Sequence, residues 1–436
     1  MRYTIRTLSL ACAMSFASFS ALAATDVTFW HSMEGPLGER VSDIVKDFNA
    51  SQKDYVVKAT YKGNYGESMN AGIAAYRAGQ SPDIIQVFEV GTATMMYSKG
   101  AIEPVQEMAQ KAGNPLDPKA FVPGIAGYYS DTSGKLVSMP FNSSTPVMFY
   151  NKDLFKKAGL DPEQGPKTYA DIEAFAKKLK AAGVECGYTT SWPAWVLIEN
   201  FAALHNVPYA SKDNGFGGLD ARVELQSDAF LKHFEFLSKM SKEGTFTYGG
   251  RGDAANALFI SGKCGMFTGS SGTRANILKN GKFKFGVAKL PYYDNVKGAP
   301  QNSVIGGASL WVFSKKSPEV YKGVTAFFHY LTKPDVAAKW HQDTGYVPVV
   351  KAAYEATKAS GYYDKNPGTD VPFQQLNVET TAQSRGVRLG FLPQIRDIEE
   401  GVMESMFGGK VSIKDGAADM EKRANELLVR FENGNK

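Results

Sequence analysis

The chain has 436 residues, 43% of them hydrophobic and 21% charged, a globular composition that excludes a disordered, fibrous or collagenous protein. Its length calls for two or three folding units. The formal net charge is only +5 and no Lys/Arg run concentrates it, so neither nucleic acid nor an anionic membrane surface is an expected partner.

At the start of the chain, Arg2 and Arg6 precede an apolar stretch from Leu8 to Leu22, and Ala21-Leu22-Ala23 has the small-x-small form of a processing site. This predicts a secretory signal peptide over residues 1–23 and a periplasmic mature protein. The run is short and diluted by serine, and no later stretch approaches the roughly 20 apolar residues of a membrane span. Cleavage removes Cys12 and leaves Cys186 and Cys264. In an oxidising compartment these two can pair or remain as buried thiols, and their spacing in sequence does not decide between the two.

From Val27 the pattern alternates. Val27 to Trp30 reads as a strand, Leu37, Val41, Ile44, Val45 and Phe48 fall at helix spacing, and Tyr55 to Thr60 reads as a strand again. A helical stretch from Met69 to Arg77 leads into a strand from Asp83 to Phe88. Such alternation predicts an α/β fold with a parallel sheet. A second unit opens at Tyr150-Asn151-Lys152-Asp153. Thr168 is a candidate N-cap for a helix that buries Ile172, Phe175, Ala176 and Leu179. Further β-type segments run from Lys284 to Leu290 and from Ser303 to Phe313, and the last helix carries Met420, Ala424, Leu427, Leu428 and Phe431.

Catalytic machinery is hard to find. His31, His205, His233, His329 and His341 are scattered, with no metal-site spacing. Gly269-Ser270-Ser271-Gly272 lacks the second glycine of a nucleophile elbow, because Thr273 stands in its place. No pair of carboxylates is singled out for glycoside cleavage. The expectation is a protein that is not an enzyme and needs no cofactor or metal.

Several stretches are recognisable as a set. They are Phe29-Trp30-His31-Ser32-Met33-Glu34-Gly35, Tyr61-Lys62-Gly63-Asn64-Tyr65, Gln86 to Met96, and Pro140 to Pro146. Ile305-Gly306-Gly307-Ala308-Ser309-Leu310-Trp311, Thr344-Gly345-Tyr346 and Pro393-Gln394-Ile395-Arg396 complete it. Together they resemble the periplasmic sn-glycerol-3-phosphate-binding proteins of ABC importers, within the larger class that includes maltose-binding protein. The resemblance covers nearly the whole mature chain.

It implies a two-lobed periplasmic-binding-protein fold with the ligand in the cleft and several hinge crossings. Lobe one would hold residues 24–142 and 306–340, and lobe two 143–305 and 341–436. The implied function is capture of sn-glycerol 3-phosphate, and of glycerophosphodiesters such as glycerophosphocholine, by a monomer that delivers them unchanged to membrane permease subunits. Rival readings are an oligosaccharide receptor or a secreted phosphodiesterase or glycosidase.

A buried phosphate dianion needs donors and a cation, and Arg is best suited by its planar fork. Arg396 matches the family's phosphate-contacting arginine, while Arg385 and Arg388 are equally open to a surface reading. Ser144 and Ser270 would supply hydroxyls, Gly307 a backbone N–H, and Tyr65 and Tyr346 phenol groups. Trp192 and Trp195 would cover the glycerol carbons from a loop marked by Pro193. Glu89 would accept from the glycerol hydroxyls, and charge repulsion predicts that it sits away from the phosphate end. Replacing Arg396 by Ala is expected to remove binding while leaving the fold intact.

Overall fold

The computed structural model describes residues 24–98 and 100–436; the signal peptide expected over 1–23 lies outside the described residues. Two sheets organise the chain. The first is built on β1 (Thr25–His31), β2 (Tyr55–Tyr61), β3 (Ile84–Phe88) and β4 (Met139–Ser144). The second uses β5 (Pro146–Asn151), β6 (Cys186–Thr190), β7 (Cys264–Ser270) and β8 (Phe285–Ala288), before β9 (Gly306–Val312) returns to the first. The strand orders are β2-β1-β3-β9-β4 and β6-β7-β5-β8.

β1 pairs in parallel with β2 and β3, as the alternating pattern requires. β9 is antiparallel to both β3 and β4, so the first sheet is mixed rather than parallel throughout. A strand that comes back from the other sheet enters from the opposite end, and local periodicity carries no sign of that direction. Ser303 to Ile305, expected in this strand, lie outside it.

Helices pack where their apolar stripes demand. α1 (Gly35–Ser51) buries Val41, Ile44, Val45 and Phe48, the residues at helix spacing. α2 (Tyr65–Arg77) starts at an Asn64–Glu67 capping box. α3 (Tyr169–Ala181) starts at Thr168, whose hydroxyl accepts from the Asp171 N–H while Asp171 answers the Thr168 N–H, satisfying two of the helix's free donors. α4 (Thr273–Asn280) follows β7, and α5 (Pro318–Leu331) packs on β1. α6 (Pro334–Thr344) leads back to the seam, and α7 (Leu392–Phe407) packs against the C-terminal α8 (Ile413–Asn435).

The two sheets meet at β4 and β5, which are separated by Thr145 alone. The packing departs from the expected limits near residue 340. α6 runs unbroken through 340 and 341, and Tyr346, Val347, Val349, Val350 and Ala353 are buried in the core of the first sheet. Val347 N–H donates to Ser143 O, and Val122 N–H to Val349 O. A helix cannot bend sharply inside an intact hydrogen-bonded turn, so the chain does not change sides at 340.

Cys186 and Cys264 form a disulfide. They are register partners on the neighbouring strands β6 and β7, which brings the two Cα atoms to 4.3 Å. No described helix is long and apolar enough to cross a membrane.

Candidate functional site

The centre of the seam is a buried ion triad. Arg396, one turn into α7, donates from Nε to Glu199 Oε1 at 2.6 Å and from Nη2 to Glu199 Oε2 at 2.9 Å, a two-point contact. Nη2 also donates to Glu89 Oε1 at 2.7 Å. All three side chains are buried. Burial works against the guanidinium's charge, but Glu199 and Glu89 outweigh it and push its pKa well above the usual value. Burial holds the Glu89 carboxyl above the ordinary range, even with Arg396 pulling the other way.

Glu89, expected at the polyol end, is thus a direct partner of the cation expected at the phosphate end. An unpaired guanidinium at this depth would carry a large desolvation penalty, and two carboxylates answer it. One guanidinium nitrogen stays open: Nη1 makes no hydrogen bond among the described residues, and neither does Glu89 Oε2.

Glu199 is the residue that the sequence reading missed. It ends the helical segment Ala194–Glu199, whose other members are all apolar. An acid closing such a run is a signal that could have been read, because a buried carboxylate requires a partner. Pro193 begins that segment rather than marking a loop. Trp195 is therefore helical and buried, donating from Nε1 to Ile305 O at 3.2 Å. Trp192 sits just before it, partly exposed, with a left-handed φ of 52°.

Gly306 and Gly307 shape the wall facing Trp195. A Cβ at Gly306 would lie 2.3 Å from the Trp195 ring, so the indole rests on bare backbone. Gly307 has φ +83°, and a Cβ there would lie 1.9 Å from Asn142 O. Only glycine accepts both the angle and the approach. Ser144, the last residue of β4, is register partner to Gly306 and is buried beside it.

Tyr65 and Tyr346 close another side. Asn142 Nδ2 donates to the Tyr65 hydroxyl at 2.9 Å, and Asn142 Oδ1 in turn accepts from Gln86 Nε2 at 2.8 Å. Tyr65 stacks on Phe88 with ring centroids 5.3 Å apart. Burial keeps both phenols neutral by raising their pKa values. Tyr346 also presses on the β7–α4 turn: a Cβ on Gly272 would come within 2.8 Å of its ring. In that turn Ser270 Oγ accepts from the Gly272 N–H at 3.2 Å, and Ser271 Oγ is buried without a partner.

The structure thus gathers Tyr65, Glu89, Ser144, Trp195, Gly307, Tyr346 and Arg396 around one seam, with Ser270 across from Tyr346 and Trp192 at the edge. Elements from both sheets contribute, and an ion pair between Lys279 on α4 and Glu39 on α1, at 2.6 Å, ties them at the rim. A second layer holds Tyr346 in place. His341 Nδ1–H donates to Tyr346 O at 2.5 Å and His341 Nε2 accepts from Tyr363 at 3.0 Å, so the buried ring is satisfied in its neutral form. Burial lowers its pKa to about 4.

Such a seam can surround a small ligand with cationic, hydroxyl and aromatic groups, and it contains no nucleophile paired with a base.

A family model for bacterial extracellular solute-binding proteins matches residues 43–368. The sn-glycerol-3-phosphate-binding periplasmic protein UgpB of Salmonella typhimurium is 50% identical over 431 residues, covering 98% of each chain. Among solved structures, UgpB from Mycobacterium tuberculosis in complex with glycerophosphocholine superimposes with a TM-score of 0.79 at 22% identity, over 94% of this chain and 99% of that one. Maltose-bound MalE3 of T. maritima gives a TM-score of 0.72 at 17% identity, over 93% and 100%. At these identities the structures establish the two-lobed fold, and the periplasmic relative establishes the kinship. The chain belongs to the bacterial extracellular solute-binding protein family and is a periplasmic member of it.

Proposed function

We propose that this protein captures sn-glycerol 3-phosphate at the seam and passes it, chemically unchanged, to membrane permease subunits of an ABC importer. The observation that carries the reading is the buried Arg396 guanidinium, whose Nη1 makes no hydrogen bond among the described residues, on a seam that also holds the Ser144 hydroxyl, the Tyr65 and Tyr346 phenols and the Trp195 indole. The 50% identity to a relative named for this ligand supports it.

In this reading Arg396 Nη1, the Ser144 and Ser270 hydroxyls and the Gly307 backbone take the phosphate oxygens. Trp192 and Trp195 cover the carbons, while Tyr65, Tyr346 and Glu89 serve the hydroxyls. Glu89 and Glu199 together carry more negative charge than Arg396 neutralises. Against that excess the dianion is held by Arg396 and the hydroxyl and backbone donors, and burial, which raises the Glu89 pKa, lowers the cost of placing a proton on Glu89 beside it. Micromolar binding needs about −8.2 kcal/mol. Over roughly ten ligand heavy atoms that is about −0.8 kcal/mol each, attainable for so small a molecule only with contacts on nearly every side. Enclosure between two lobes provides them, and ligand-stabilised closure is the signal for docking. Glycerophosphodiesters fit the same reading where the head group leaves through the Trp192 edge.

Calorimetric titration with sn-glycerol 3-phosphate, glycerophosphocholine and maltose tests the proposal. Binding of the first, with maltose silent, is the expected result; binding of maltose alone returns the oligosaccharide reading. Choline released on incubation with glycerophosphocholine would replace the receptor by a phosphodiesterase.

A further inference from the structure

A separate cavity of about 590 Å³ shares no lining residue with the Arg396 site. Pro118, Phe121, Pro123 and Ala126 form its apolar part, and four cations, Lys119, Lys351, Arg385 and Arg388, line it as well. Its carboxylate, Asp131, is spent on its own turn: Oδ1 accepts from the Ser133 and Lys135 N–H groups and from the Ser133 hydroxyl.

Two of the cations are held together. The guanidinium carbons of Arg385 and Arg388 lie 3.8 and 4.3 Å from the centroid of the same Phe216 ring. Arg388 is fixed there by donating from Nη1 to Ser130 O at 2.6 Å and Tyr128 O at 3.2 Å. Burial and the neighbouring Arg385 act against its charge, while Tyr128, Tyr97 and Asp131 act in its favour from nearby without pairing with it. Asp213 acts on Arg385 from a distance. No Asp or Glu forms an ion pair with Lys119, Lys351, Arg385 or Arg388 among the described residues.

Cation–π contact offsets part of the repulsion between like charges sharing one ring, and an anion would offset the rest. The volume matches a small-molecule pocket rather than a bare ion. We propose that this cavity is a second ligand site, for a small organic dianion with two acidic oxygens, from a phosphate or a pair of carboxylates, on a short apolar body. The body lies against Phe121 and Pro123, and the oxygens take the Arg385 fork and the Nε–Nη2 edge of Arg388, which the Nη1 bonds to Ser130 and Tyr128 leave open, with Lys351 beside them. This inference is independent of the ligand proposed for the seam.

The test titrates phthalate and phenyl phosphate into the mature protein by calorimetry. At least one should bind with a dissociation constant below about 1 mM. Arg385→Ala/Lys351→Ala should weaken that binding at least about tenfold through loss of two charge-assisted contacts. Trp192→Ala, at the other site, should leave it unchanged. Both substituted cations are exposed, and an unaltered melting curve of the double variant checks that the fold is retained. Binding of phthalate alone assigns a carboxylate ligand, and of phenyl phosphate alone a phosphate ligand. Absence of binding by both probes at about 10 mM, or binding that the double variant retains, overturns the proposal.

Discussion

Arg396 shows why a residue's role depends on its neighbours. As an isolated cation it would be a removable ligand contact, which is the basis for expecting Arg396→Ala to keep the fold. Inside the triad, the same change strands Glu89 and Glu199 as buried carboxylates. The structure therefore predicts a loss of about 3–5 kcal/mol for Arg396→Ala, read by urea unfolding. Most of it should return in Arg396→Met/Glu89→Gln/Glu199→Gln, which removes the stranded charges. Burial disfavours the charged form of Glu89, and Glu89→Gln removes that ionisable group while keeping its shape. The variant's affinity for sn-glycerol 3-phosphate, measured calorimetrically, should change less than about tenfold; a larger gain would mean that Glu89 repels the bound dianion. At Gly307, Ala meets both the positive φ and the Asn142 carbonyl. A cost of at least about 2 kcal/mol, seen as a lower melting temperature, is expected with weakened ligand binding.

Among the elements, the β6–β7 pair has a covalent staple. The disulfide joins residues 78 apart in sequence, for which the chain-entropy account gives about 4.5 kcal/mol. Cys186→Ser/Cys264→Ser should lose a stability of that order in urea unfolding under oxidising conditions, and added reductant should then have no further effect on the variant. The segment that carries the indoles tells a related story about strain. Trp192 and Phe391 both adopt left-handed φ, at 52° and 53°, immediately before the helices that deliver Glu199 and Arg396. Backbone in this region costs a non-glycine residue on the order of 1–2 kcal/mol, and each residue turns its chain so that a charged side chain points at the seam. Apolar periodicity reports helix faces well, as α1 and α3 illustrate, yet it carries no information on such turns.

At the scale of the whole molecule, buried histidines make stability depend on pH. His341 has a folded pKa near 4, and burial also lowers those of His205 and His233. Between pH 4 and an unfolded value near 6.5, the unfolded chain binds protons that the folded chain refuses. Stability from these groups is complete above about 6.5 and falls with pH below it, by roughly 3 kcal/mol at pH 4 for His341 alone. Glu89, Glu399 and Glu400, raised by burial, act in the opposite sense. The decisive measurement is therefore the difference between wild type and His341→Gln, whose melting temperatures should converge as pH falls from 7 to 4.

The sequence by itself determined the class of fold, most helix faces and the Thr168 cap, because apolar spacing and turn chemistry are local properties of a chain. Resemblance across the aromatic and glycine-rich stretches pointed to Tyr65, Trp195, Gly307, Tyr346 and Arg396, which the fold brings to the same seam. Only the tertiary structure decided that β9 runs against β3, that 341–353 serves the first sheet, that the two cysteines join, and that Glu199 answers Arg396. Those facts depend on where segments distant in sequence meet, and the free energy of a buried charge is set by whichever groups surround it after folding.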